Sequence, residues 1–133
     1  MQQAGAWHML KFVSASAILL ALGTMASAQQ AGGDVSAGQR VFGQCRACHA
    51  LDRNLVGPHL RGVVGRPAGS LDGFRYSTSM RQKAEGGLVW SEDTLRAYIR
   101  NPKEVVPGGS MAFAGLRNEQ QLNDLLAYLR EQK

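Results

Sequence analysis

The chain has 133 residues, a formal net charge of +5, two cysteines and three histidines. That length bounds it to one small domain, and two cysteines exclude a disulfide framework. The eleven arginines are scattered singly, with no basic stripe interleaved with aromatics, which argues against nucleic-acid binding; a mildly basic surface would instead steer an acidic protein partner.

Residues 1–28 read as a secretory leader. Lys11 precedes an apolar run from Phe12 to Leu22, and Ala26-Ser27-Ala28 is a small-x-small cleavage site. Met9 offers a second start, because Met9-Leu10-Lys11 makes the more usual basic leader. The apolar run is shorter than the ~20 residues of a membrane span. The folded domain is therefore expected over 29–133, exported from the cytoplasm.

Asp34 predicts the N-cap of a helix running through Val35, Val41 and Phe42 to Cys48. Its end carries Cys45-Arg46-Ala47-Cys48-His49, the Cys-x-x-Cys-His pattern of covalent c-type haem attachment. Two thiols three positions apart on a helical turn project from neighbouring points of one face. They can add to the two vinyl groups of one porphyrin, and His49 then offers its imidazole to the iron. A thioredoxin-like dithiol would need a βαβ pattern, which is absent. A structural zinc site needs four ligands, and residues 29–133 hold only Cys45, Cys48, His49 and His59.

Residues 50–75 read as loop, broken repeatedly at Gly57-Pro58, Gly62, Gly65, Pro67, Gly69 and Gly73. Beside a cofactor such backbone can approach a ring closely. Ser91 before Glu92 and Asp93 predicts a helix start, with Leu95, Tyr98 and Ile99 on one face and Asn101-Pro102 as its end. Pro107-Gly108-Gly109 is a turn. Asn118, with Gln121 three residues on, caps a last helix in which Leu122, Leu125, Leu126 and Leu129 recur at helical spacing. No segment alternates like a strand for long, and nothing repeats. The expectation is an all-α domain whose modest core a covalent haem would enlarge.

A haem held by one histidine leaves a sixth position, for which Met80, Met111 and His59 are the candidates. Methionine is more often core filling. Met111 differs in lying on a loop, between Pro107-Gly108-Gly109-Ser110 and Ala112-Phe113-Ala114-Gly115, from which it could fold over the haem face opposite His49.

Taken in order, these segments resemble the class I c-type cytochromes of the short-chain mitochondrial and bacterial type. The likeness covers almost all of residues 33–130. It runs through Gly33-Asp34-Val35, Gly38, Phe42, the haem motif, Val56-Gly57-Pro58, Gly62-Val63-Val64-Gly65-Arg66, Gly73-Phe74-Arg75-Tyr76-Ser77 and Trp90. It continues in Tyr98-Ile99-Arg100-Asn101-Pro102-Lys103, Pro107-Gly108, Met111-Ala112-Phe113-Ala114-Gly115 and Asp124-Leu125-Leu126-Ala127-Tyr128-Leu129. The resemblance implies the cytochrome c fold, a few helices and Gly-rich loops around one covalent haem c.

It also implies roles. His49 and Met111 would be the axial iron ligands, a pairing that raises reduction potential. The Pro58 carbonyl would accept the His49 ring N–H and fix its tautomer. Arg66, Tyr76 and Trp90 would neutralise or hydrogen-bond a buried propionate, Tyr98 would lie near the methionine sulfur, and Phe113 at the haem edge. Gly38 and Phe42 would pack against Leu125 and Tyr128, while His59 has no family role and is expected at the surface. Some positions depart from the family. Gly109 and Ser110 stand where threonine and lysine are common, Glu104 where a second lysine is, and Met80 where an asparagine often holds water.

The function so implied is a soluble periplasmic one-electron carrier, not an enzyme. It would work as a monomer, docking transiently on membrane complexes. Its partners would be redox proteins such as a quinol-cytochrome c reductase, a terminal oxidase, a reaction centre or a dehydrogenase. Two rivals remain: a haem peroxidase or sensor with a labile sixth ligand, and a cytochrome subunit of a dehydrogenase.

Overall fold

A computed structural model describes residues 32–133, so the leader expected over 1–28 lies outside the described residues. Two helices frame the fold. Helix α1 (Val35–Phe42) starts where the extended Asp34 accepts a hydrogen bond from the Ala37 N–H, and it buries Gly38 and Phe42, one turn apart. Helix α5 (Glu119–Glu131) starts at Asn118, whose side-chain oxygen accepts from the Gln121 N–H at 3.0 Å. Its expected leucine stripe of Leu122, Leu125, Leu126 and Leu129 is buried, together with Asp124, Ala127 and Tyr128.

The two helices cross at Gly38. A Cβ there would run into the Asp124 carbonyl oxygen and come within 2.7 Å of Tyr128 Cβ. One turn on, the Phe42 and Tyr128 rings pack with centroids 5.3 Å apart. Beside the crossing, the buried Asp124 Oδ1 accepts from the Asp34 N–H at 2.8 Å and from Gln120 Nε2 at 2.9 Å. A buried carboxylate is tolerated only with such partners.

Helix α1 does not continue to Cys48 as expected. It gives way after Phe42 to a 3₁₀ turn over Gly43–Cys45 and a turn through Cys48. The backbone tightens there, with the Cys48 N–H on Cys45 O at 3.1 Å, a common way for a helix to end. Residues 50–75 carry neither helix nor strand. A helix not anticipated follows: α2 (Thr78–Glu85), capped by Ser77 Oγ on the Met80 N–H at 3.1 Å. It fully buries none of its residues, which is why its sequence shows no apolar period.

Helix α3 (Glu92–Arg100) starts at Ser91 as expected and buries Leu95 and Ile99. Asn101 ends it, but Pro102 then opens a four-residue helix, α4 (Pro102–Val105), in the first turn, where an N–H would have no partner within the helix. From Ser110 to Asn118 the chain has no regular element. Exposed ion pairs join α3 to α5: Arg96 and Arg100 to Glu119, and Glu92 to Arg130 at 3.2 Å. Among the described residues the only β pairing is an isolated bridge between Pro67 and Val89, and no helix is long and apolar enough to cross a membrane.

Candidate haem-binding site

The end of α1 delivers both cysteines to one place. Cys45 closes the 3₁₀ turn, and the His49 N–H bonds back to Cys45 O at 2.8 Å, so the Cys45–His49 segment keeps a helical winding. Cys45 is half-buried and Cys48 exposed. Burial, helped by the neighbouring Cys48, pushes the Cys45 thiol above its usual range.

The loop after the motif grips His49. His49 Nδ1 lies 2.7 Å from the Pro58 carbonyl oxygen. Since a carbonyl only accepts, Nδ1 is the donor, which leaves Nε2 as the ring nitrogen a metal would take. Gly57 is the residue that permits this approach. A Cβ on Gly57 would stand 2.7 Å from both His49 ring nitrogens, and the Gly57 N–H bonds Cys48 O at 2.8 Å to hold the loop there.

Cys45, Cys48, His49, Pro58, Arg66, Tyr76, Trp90, Tyr98, Met111 and Phe113 all line one cavity of about 330 Å³. Every residue to which the resemblance gives a haem role therefore meets at one place. Met80, projecting from α2, lines it too, as do Phe42, Leu95, Ile99, Leu125 and Leu129 from the core. The Trp90 and Tyr98 rings pack tilted with centroids 4.8 Å apart, and burial pushes the Tyr98 hydroxyl above its ordinary range. Phe74 packs edge-on to Tyr76 at 4.8 Å, and the Tyr76 hydroxyl accepts from the Leu71 N–H at 3.3 Å.

Arg66 is the one cation on this wall. Its guanidinium donates to His59 O at 3.0 Å and Arg61 O at 3.2 Å, and no carboxylate pairs with it among the described residues. Burial lowers its affinity for the proton, partly offset by Tyr76. A half-buried cation held by carbonyls alone is an anion site in its chemistry.

His59 departs from expectation. It is half-buried and not at the surface, and its Nδ1 is buried with no hydrogen-bond partner among the described residues. Its backbone is drawn inward by the Arg66 bond to its carbonyl and by the Asn54 side chain, which accepts its N–H at 3.0 Å. It does not line the cavity. The parts that sequence reasoning did not single out are the Arg61 and His59 carbonyls. Backbone acceptors leave no residue-type signal.

A family model for cytochrome c matches residues 35–133. The chain belongs to the cytochrome c family. It is 40% identical over 126 residues to cytochrome c2 of Blastochloris viridis, covering 92% of this chain and 94% of that one. Cytochrome c of the fungus Gibberella zeae is 42% identical over 105 residues, 76% of this chain and 96% of its own length. Among solved structures, ferricytochrome c2 from Rhodopseudomonas palustris matches with a TM-score of 0.69 at 41% identity, over 75% of this chain and 99% of that one. Cytochrome cH from Methylobacterium extorquens does so at 0.69 and 39%, over 74% and 98%.

The all-α cytochrome c fold and one covalently bound haem c, with Cys45 and Cys48 as the Cys-x-x-Cys-His-type site, follow from that membership. The cavity fits that group on its own chemistry. It is mainly apolar, has two thiols and a metal-ready imidazole at its lip, and holds an unpaired guanidinium suited to a propionate.

Proposed function

We propose that the protein is a periplasmic one-electron carrier in which His49 and Met111 are the axial ligands of the haem iron. The observation that carries this is the convergence of a tautomer-fixed imidazole and a loop thioether on one apolar cavity. The bound haem supplies the redox-active iron; the chain supplies ligands, orientation and electrostatics.

Pro58 and Gly57 hold the His49 ring at one angle with Nδ1 turned to the Pro58 carbonyl, so that Nε2 would face the iron. Met111 presents a neutral, weakly basic sulfur, which favours the ferrous state relative to a second nitrogen ligand. Arg66, Tyr76 and Trp90 stabilise an ionised propionate on the inner wall. Leu95, Ile99, Leu125 and Leu129 exclude water from the same cavity. With His49 and Met111 both holding the iron and the walls packed, little would have to move when charge changes, which would suit outer-sphere transfer through the haem edge. The expected partners are other redox proteins, among them a quinol-oxidising complex, a terminal oxidase, a reaction centre or a dehydrogenase. Their contacts should be small and short-lived. The leader expected over residues 1–28 supports export.

Met111→Ala tests the ligand set. The variant should lose the weak long-wavelength ferric absorption of a thioether-ligated haem and bind carbon monoxide when reduced, while the parent does not. Retention of that absorption would transfer the role to Met80. A parent protein that already binds carbon monoxide would instead favour a peroxidase or sensor.

A further inference from the structure

We infer that the segment after α5, Gln132 and Lys133, acts through Arg61 as a positioning device for Arg66 and thereby tunes the haem's reduction potential. This rests on the reading of Arg66 as the propionate partner.

Four hydrogen bonds link the residues after α5 to the cavity wall. The Gly62 N–H donates to Gln132 O at 2.6 Å. Arg61 Nη1 donates to Lys133 O at 3.1 Å. The carbonyl of that same Arg61, with that of His59, receives the Arg66 guanidinium. The 59–62 turn is thus clamped from outside by the tail. From inside it is clamped by the strand of chain just after His49, through the Leu60 N–H on Ala50 O and the Arg61 N–H on Leu51 O, each at 3.0 Å.

The geometry makes Arg61 the hinge point. Its side chain reaches outward to the tail while its carbonyl reaches inward to Arg66, so releasing the first lets the second shift. The tail is itself fixed to α5, with the Gln132 N–H on Leu129 O at 3.1 Å and Gln132 Nε2 on Tyr128 O at 3.2 Å. Helix α5 in turn lines the cavity through Leu125 and Leu129. One rigid element therefore sets both an apolar wall and the seat of the nearby cation.

The consequence is electrostatic. A cation held beside the haem favours the less positive ferrous state, and the effect weakens with distance and solvent access. Loosening the turn moves Arg66 toward solvent and lowers the potential. Arg61→Lys keeps a charged donor for Lys133 O, whereas Arg61→Ala removes it.

Spectroelectrochemistry of the haem-loaded variants tests this. Arg61→Ala should reduce the ferrous-to-ferric ratio at fixed applied potential by about threefold, roughly 30 mV for one electron, and speed exchange of the Gly62 amide proton. Arg61→Lys should restore both. Arg53→Ala, which removes the same charge from an exposed arginine paired only with Asp52, should leave the potential near that of the parent. If Arg61→Ala fails to accumulate as holoprotein, Arg61→Met keeps the alkyl stem and takes its place. A potential shift in Arg61→Ala no larger than that in Arg53→Ala, beside a clear shift in Arg66→Met, overturns the proposal alone. An unchanged potential in Arg66→Met overturns the propionate reading itself, and the proposal with it.

Discussion

His49 shows how much of a haem ligand is made by its neighbours. The side chain is held by one carbonyl, Pro58 O at 2.7 Å, and by the lack of a Cβ on Gly57. Gly57→Ala should therefore cost about 1–3 kcal/mol through overpacking and broaden the ligand environment, read as a lower denaturant midpoint and altered ferric spectra. Tyr98 gives a pH test. Burial raises its pKa, so between the ordinary tyrosine value and the raised one the unfolded chain has released a proton that the folded chain keeps. Its contribution is thus intact below about pH 10 and is lost as pH rises beyond it. Tyr98→Phe should flatten the fall of the urea midpoint above about pH 10. The motif and the loop methionine were legible as residue types. The unpartnered Nδ1 of His59 and the carbonyl seat of Arg66 were not, because burial and backbone direction are set by chain path and not by side-chain identity.

At the scale of elements, the α1–α5 crossing holds the site together. Phe42 lies three residues before Cys45, and Leu125 and Leu129 form part of the cavity wall, so any slip at Gly38 moves the thiols relative to that wall. Asp124 ties the crossing to the start of α1. Asp124→Ala should destabilise by about 2 kcal/mol, the scale of lost hydrogen bonds to a charged acceptor plus an orphaned buried N–H. Asp124→Asn, which keeps the Oδ1 acceptor, should lose less, and urea unfolding separates the two. The Glu119 pairs to Arg96 and Arg100 are exposed, so Glu119→Ala should cost under about 1 kcal/mol and the difference should shrink in 1 M salt, by roughly the screening expected there. Helices α1, α3 and α5 were readable from caps and apolar spacing. Helix α2 was not, because it leaves every residue at least partly exposed, and the early end of α1 was not, because a 3₁₀ turn uses the same residues as an α-helix.

At the scale of the whole molecule, the cavity is the core. The same Phe42, Leu95, Ile99, Leu125 and Leu129 that pack against one another also line it. Leaving that 330 Å³ apolar space without its haem would expose its walls to water, a loss of burial that is serious for a domain stable by only ~5–15 kcal/mol. A Cys45→Ala, Cys48→Ala chain that never acquires haem should therefore lose cooperative thermal unfolding and most of its helical circular dichroism. A cooperative transition in that variant would show that the polypeptide core suffices. The sequence by itself determined the attachment chemistry, the helix caps and the apolar faces, because these depend on residues a few positions apart. Only the tertiary structure decided that His49, Met111, Arg66 and Trp90 share one cavity and that the tail reaches the turn beneath Arg66. Those meetings depend on the α1–α5 crossing and on loops whose path is fixed by long-range backbone hydrogen bonds, which no local pattern encodes.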